Sequence, residues 1–119
     1  MNHQSGRKKL NLPSPHRKAM LRNQVLMLIE QGQLITTKAR AREVKRMAEK
    51  LVTLARKGNT FEYRRRALSV LPYNDAVVGK LFTEIAPRYL HRPGGYTRII
   101  PLGRRVSDTA SMAKLEWVI

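Results

Sequence analysis

The chain has no cysteine, which excludes disulfides, thiolate metal sites and a cysteine nucleophile, and is compatible with a reducing compartment. Carboxylates are scarce as well, with eight Asp and Glu against 24 Lys and Arg, for a formal charge of +16 over 119 residues. The three histidines, His3, His16 and His91, are scattered, and none falls in a metal-ligand spacing. Without a convergent set of acids, bases and nucleophiles, the composition argues against an enzyme. Gly94-Gly95 lacks the following Lys of a phosphate-cradling loop and precedes a strand pattern rather than a helix, so no cofactor and no small-molecule substrate are expected. No apolar run approaches the roughly 18 residues that cross a bilayer, and no long apolar segment marks a secretory signal. The expectation is a protein that stays inside the cell, with no membrane partner.

The positive charge is what remains, and it far exceeds what solubility requires. Such a chain repels itself until a polyanion binds, and nucleic acid is the first candidate. Residues 1–13 contain His3, Ser5, Gly6, Arg7, Lys8, Lys9 and Asn11, with no apolar period and no acid; the first carboxylate is Glu30. They read as a basic N-terminal arm that orders on phosphate contact. Residues 14–119 read as one globular domain, a length that supports a modest two-layer core.

Ser14-Pro15 is a cap-plus-proline helix start, and Gly32 a stop, so a first helix is expected up to about Gln31. Its stripe is Leu21, Val25, Leu28 and Ile29; Met20, Leu26 and Met27 lie off it and are expected as core filler under a second covering layer. His16, Arg17 and Arg22 oppose the positive end of this helix, a penalty that an external phosphate would remove. Leu34-Ile35-Thr36 reads as a short strand, and Thr37 as the cap of a second helix to about Arg56 and as a candidate RNA contact. In that helix Val44, Met47, Ala48, Leu51 and Ala55 face the core, and Lys38, Arg42, Lys45, Arg46 and Arg56 face away, with Glu49 pairing locally to Arg46 and Lys45.

A third, weaker helix follows Asn59-Thr60 and is broken by Pro72; a fourth spans 75–86, capped by Asn74, ended by Pro87 and lined by Val77, Val78, Leu81, Phe82 and Ile85. Strands are expected at 96–102 and 111–118, paired as an antiparallel hairpin, with Pro101 on an edge. The order is α-β-α-α-α-β-β, of the α+β class.

Residues 88–100 place Arg88, Arg92 and Arg98, two tyrosines and Gly94-Gly95 directly before a β-branched run. Paired glycines let a bulky partner approach the main chain, and guanidinium forks match phosphate oxygens. Tyr96 with Thr97 is then expected to meet RNA, Tyr96 by stacking on a base or sugar. A plain turn with solvated arginines is the competing reading of this stretch. The connection 103–110, basic at Arg104 and Arg105, is a second candidate RNA finger.

Several separated stretches carry a family resemblance: Ser5-Gly6-Arg7-Lys8, Leu10-Asn11, His16-Arg17, Thr36-Thr37 with Ala41 and Glu43, Leu81-Phe82 with residues 84–89, and Gly94-Gly95-Tyr96-Thr97-Arg98-Ile99. In this order and spacing the chain resembles the bacterial-type large-subunit ribosomal protein seventeen family over nearly its whole length. It departs from the family pattern at Asn2 and Leu12, where basic residues are usual, and at Pro101 within the hairpin. The resemblance implies a two-layer fold, with helices packed on a small mixed three-stranded sheet. It also implies a structural role on large-subunit ribosomal RNA near the nascent-chain exit tunnel, beside other large-subunit proteins, in a cytoplasmic or organellar ribosome. A basic nucleic-acid-binding protein of another kind, an RNA chaperone or a chromosomal DNA-binding module, is the alternative. A helix-turn-helix is disfavoured by the β-like run between the first two helices.

Overall fold

Leu21, Val25, Leu28 and Ile29 recur at helical spacing, and in the computed structural model, which describes residues 14–71 and 74–118, they are the buried stripe of helix α1, Ser14–Gln31. Ser14 is itself helical, so the residue that would cap α1 lies outside the described residues, as does the whole 1–13 arm. Gly32 takes φ +85° and its N–H donates to the Leu28 carbonyl at 2.9 Å, ending the helix as a residue with a side chain would not readily do. Met27, expected inside, is half exposed; the helix has one fully covered side, with Met20 and Leu26 at its margin.

Strand β1, Gln33–Thr37, leads directly into helix α2, Lys38–Ala55, where the Thr37 hydroxyl accepts from the Arg40 N–H at 3.4 Å. Satisfying one orphan donor of a helix start in this way contributes about 1 kcal/mol. α2 buries Ala41, Val44, Ala48, Leu51, Val52 and Ala55, and it touches all three strands as well as α1. Thr60 caps helix α3, Phe61–Val70, by accepting from the Tyr63 N–H at 3.3 Å.

Helix α4, Asp75–Lys80, is shorter than the expected 75–86, and its Asn74 does not cap it through the side chain. The chain continues as a π turn, Leu81–Ile85, closed by the Ala86 N–H donating to the Leu81 carbonyl, and then as a 3-10 turn, Ala86–Tyr89. Pro87 therefore does not end the helical path. It has no N–H and its ring crowds the carbonyl four residues back, and a widened turn just before it accommodates both. The continuation delivers Tyr89 into the core, where its hydroxyl donates to the Val118 carbonyl at 2.6 Å.

Strands β2, Thr97–Arg104, and β3, Ser111–Trp117, form the expected antiparallel hairpin, and β1 pairs with the other side of β3. The order β1-β3-β2 makes the sheet antiparallel throughout, which corrects the expectation of a mixed sheet. Its two outer strands are parallel to one another, yet the central strand separates them. Pro101 lies on an edge strand, as a residue without an N–H must, and a bulge between Pro101 and Gly103 follows. Leu34, Thr36, Ala113, Leu115, Trp117 and Thr97 are buried beneath the helices. On the other face Ile35 is 59% exposed and Arg98, Lys114 and Glu116 meet solvent, so the molecule has one helical layer and one sheet layer. No helix among the described residues is long and apolar enough to cross a membrane.

Candidate nucleic-acid interface

Residues 88–98, around the turn into β2, carry more of the expected contacts than any other stretch among the described residues, and a polar stripe on α2 holds them in place. Lys45, Glu49, Thr53 and Arg56 recur every three or four residues and so share one side of that helix. Glu49 Oε2 accepts from the Thr97 N–H at 3.0 Å and from its hydroxyl at 2.8 Å, while Lys45 Nζ donates to the Thr97 carbonyl at 3.1 Å. Arg56 donates to the Tyr96 hydroxyl at 2.9 Å and to the Leu90 carbonyl at 3.1 Å, and Thr53 Oγ1 lies 3.3 Å from the same hydroxyl. Every polar atom of Thr97 is therefore engaged internally. The expectation that Lys45 and Arg56 point away from the fold, and that Glu49 pairs with Arg46 or Lys45, is corrected by these contacts; Arg46 lies beside Glu43 instead, at 3.8 Å.

Tyr96 is 1% exposed, its ring 5.2 Å from that of Tyr89, which in turn lies 6.3 Å from Trp117. A ring so enclosed cannot stack on a base, and Thr97 is buried too, so both residues position the segment rather than present it. The reason is amphipathic: a tyrosine at the mouth of a strand can bury its ring while a guanidinium satisfies its hydroxyl. Burial also raises the pKa of Tyr89, against the lowering influence of Arg88 and Arg92.

What this clamp presents outward is cationic. Arg88, His91, Arg92 and Arg98 are exposed, and Arg92 Nη1 reaches the Gly95 carbonyl at 3.5 Å, across the loop. Gly94 and Gly95 take φ +147° and +64°, and a Cβ built on either meets nothing within 4 Å. The open space allows a bulky partner to come close to the main chain there, while the backbone angles alone favour glycine. Arg98 donates from Nε to Glu116 Oε2 at 2.8 Å, and that contact, then the one from Lys114, lowers the Glu116 pKa.

Arg104 and Arg105 lie at the far end of β2, roughly 20 Å from Arg98 at about 3.3 Å per residue. Arg105 is chelated by Asp108, Nε to Oδ1 at 2.9 Å, and the Arg105 N–H and Ala110 carbonyl close the loop at 2.8 Å. The Arg105 side-chain bond, then the one from the Ala110 N–H, holds the Asp108 carboxyl down at about 2. The finger is thus a pre-shaped turn, with Arg104 bonded to the Thr109 carbonyl.

A third basic patch is the start of α1. It has no acid in its first turn, His16 is exposed, and Arg17 and Arg22 are partly covered, Arg17 Nη2 lying 3.5 Å from Ser14 Oγ. The Trp117 indole N–H donates to the Leu28 carbonyl at 3.1 Å, about four turns further along α1, so this patch is set apart from the clamp. Thr37 is occupied by capping. His3, Ser5, Gly6, Arg7, Lys8, Lys9 and Asn11 lie outside the described residues. The Lys45, Glu49, Thr53, Arg56 stripe was missed as a positioning element, although its helical spacing is legible; nothing local tells that its partner is a segment some 40 residues away.

Residues 20–118 match the family model described as ribosomal protein L17. Among curated relatives, the large ribosomal subunit protein bL17 of Carboxydothermus hydrogenoformans is 52% identical over 108 residues, covering 91% of this chain and 95% of its own. That of Clostridioides difficile is 46% identical over 111 residues, 93% and 96% of the two chains. That of Fusobacterium nucleatum is 45% identical over 118 residues, 99% of this chain and all of its own.

Proposed function

Because the chain belongs to the ribosomal protein L17 family, we propose that it is a structural constituent of the large ribosomal subunit, binding folded large-subunit ribosomal RNA near the nascent-chain exit tunnel. It acts there without catalysis, beside neighbouring large-subunit proteins. Arg88, Arg92 and Arg98 hold phosphates around the start of the hairpin and Arg104 and Arg105 at its far end, His16, Arg17 and Arg22 do so at the start of α1, and residues 1–13 extend the contact. Gly94 and Gly95 let the RNA backbone approach, while Tyr96, Thr97 and the α2 stripe keep that loop in shape.

The observation that carries this reading is the imbalance of partners. Among the described residues, five cations lie within ion-pair distance of a carboxylate, Arg46, Arg66, Arg98, Arg105 and Lys114, whereas Arg88, Arg92 and Arg104 do not. Exposed guanidinium groups without carboxylates, held on a preformed frame, favour a phosphate backbone over a neutral partner.

Sedimentation of cell extract through a sucrose gradient tests the proposal. The protein is expected in large-subunit fractions and is expected to stay there after a high-salt wash. Recovery at the top of the gradient, or with chromosomal DNA, would instead support a free chaperone or a DNA-binding module.

A further inference from the structure

We propose that the depression between α3 and α4 receives a single unpaired RNA base, stacked on Phe61; this rests on the ribosomal-RNA reading above. Thr60 caps α3 and so fixes Phe61 as its first helical residue, yet the Phe61 ring is 80% exposed. One turn on, the Arg65 guanidinium lies 5.9 Å from the centre of that ring. Its neighbour Arg66 is occupied, bonded to Glu62 at 2.8 Å and over the Tyr63 ring, whereas Arg65 has no carboxylate partner among the described residues. Arg64 forms a wall, bonded to Asn59 Oδ1 at 3.1 Å and lying over the Phe82 ring.

The depression is open on one side and holds about 270 Å³, lined by Phe61, Arg64, Arg65, Leu68, Asp75 and Val78, just below the roughly 300–1,000 Å³ of small-ligand clefts. Each part of a nucleotide has a counterpart in that lining. The aromatic face and the apolar floor take the flat base, the guanidinium groups take its phosphate, and the Asp75 carboxylate accepts from a ring or exocyclic N–H. An acidic peptide would satisfy the arginines but would bring no planar face to the Phe61 ring, and an aliphatic side chain would leave the guanidinium groups unused. A base carrying its phosphate uses both charges.

Filter binding of purified large-subunit ribosomal RNA, combined with ultraviolet cross-linking and mass spectrometry, tests this. Phe61→Ala is expected to weaken binding about 5- to 150-fold, the range for losing one stacked base. The slope of log affinity against log salt should stay unchanged, since no phosphate contact is lost. Phe61→Tyr should restore affinity and Phe61→Leu should not, and a nucleotide adduct should map to Phe61. All three variants should unfold at the wild-type midpoint, because the ring is exposed. If the wild-type protein binds but Phe61→Ala binds equally well, the stacking site is refuted and the ribosomal-RNA reading survives. If Phe61→Leu restores what Phe61→Ala loses, the contact is general apolar packing and not ring stacking, and the proposal is equally refuted. Failure of the wild-type protein to bind this RNA would remove the underlying reading itself.

Discussion

Replacing Glu49 by alanine should be far more damaging than its position on a charged helix implies. Its carboxylate holds two donors of one residue, the Thr97 N–H at 3.0 Å and the Thr97 hydroxyl at 2.8 Å, and Thr97 is only 3% exposed. Hydrogen bonds to a charged acceptor contribute about 1.5–3 kcal/mol each, and a buried donor left unmade costs a similar amount. Two bonds to one oxygen are not independent, and Glu49 itself is only partly covered, so the expected loss is about 2–4 kcal/mol. Were Glu49 merely a surface partner for Arg46 or Lys45, the loss would be about 0.3–0.5 kcal/mol. Urea unfolding of the free protein separates the two readings. With a slope of about 1–3 kcal/mol per molar, the midpoint should fall by roughly 1 M or more. Thr97→Val, which removes the hydroxyl donor but keeps the N–H, should cost less, and the double variant should cost less than the sum of the singles. A Glu49→Ala protein within about 0.5 kcal/mol of wild type would refute the clamp as an energetic unit.

Gly95→Ala should destabilise the free protein by about 1–2 kcal/mol in the same assay, because φ is +64° with open space around it, so strain acts without a clash. Arg98→Ala should weaken ribosomal-RNA binding and flatten its salt dependence by roughly 0.7–0.9 of a log unit per lost phosphate contact. Its loss should leave unfolding nearly unchanged, since the Arg98–Glu116 pair is exposed. Asp108 is depressed to about 2 from an ordinary value of 3.8, so its contribution to the 105–110 turn is complete above about pH 4 and is lost as pH falls through about 2. An NMR titration of the Asp108 carboxyl in wild type and Arg105→Ala should show the depression shrink in the variant. Tyr89 is displaced the other way: burial raises it above 10.0, so its contribution is complete below pH 10 and lost as pH rises through the folded value. Ultraviolet titration should find one fewer late-ionising tyrosine in Tyr89→Phe.

Local chemistry made most of the elements legible. Gly32, Thr37 and Thr60 mark helix ends by interactions of a residue with its own neighbours, and Leu115 and Trp117 alternate along a strand whose inner face is buried. Features decided by distant partners were not legible. Tyr96 and Thr97 sit in a run of glycines and arginines that reads as exposed, and it is Lys45, Glu49, Thr53 and Arg56 of α2 that draw them inward. The same holds for the path beyond Pro87, where burial of Tyr89 against Tyr96 and Trp117 favours continuing the turn over stopping it. Phe61 is the opposite case, an apolar residue at the start of α3 that the core does not claim.

The central place of β3 has a consequence for synthesis. β1 and β2 pair only with β3, never with each other, and β3 follows both in the chain. A ribosome making this protein must therefore release β3 before either earlier strand finds its hydrogen-bonding partner, whereas α1 and α2 can meet much sooner. Until then both strands stand open, β1 through the synthesis of α2, α3, α4 and the bulged β2, and β2 through that of the 105–110 turn. Strands in that state are the species that aggregate. The excess of positive charge limits self-association during the wait, and the long sequence separation between β1 and β3 makes closure of the sheet the slow step of folding.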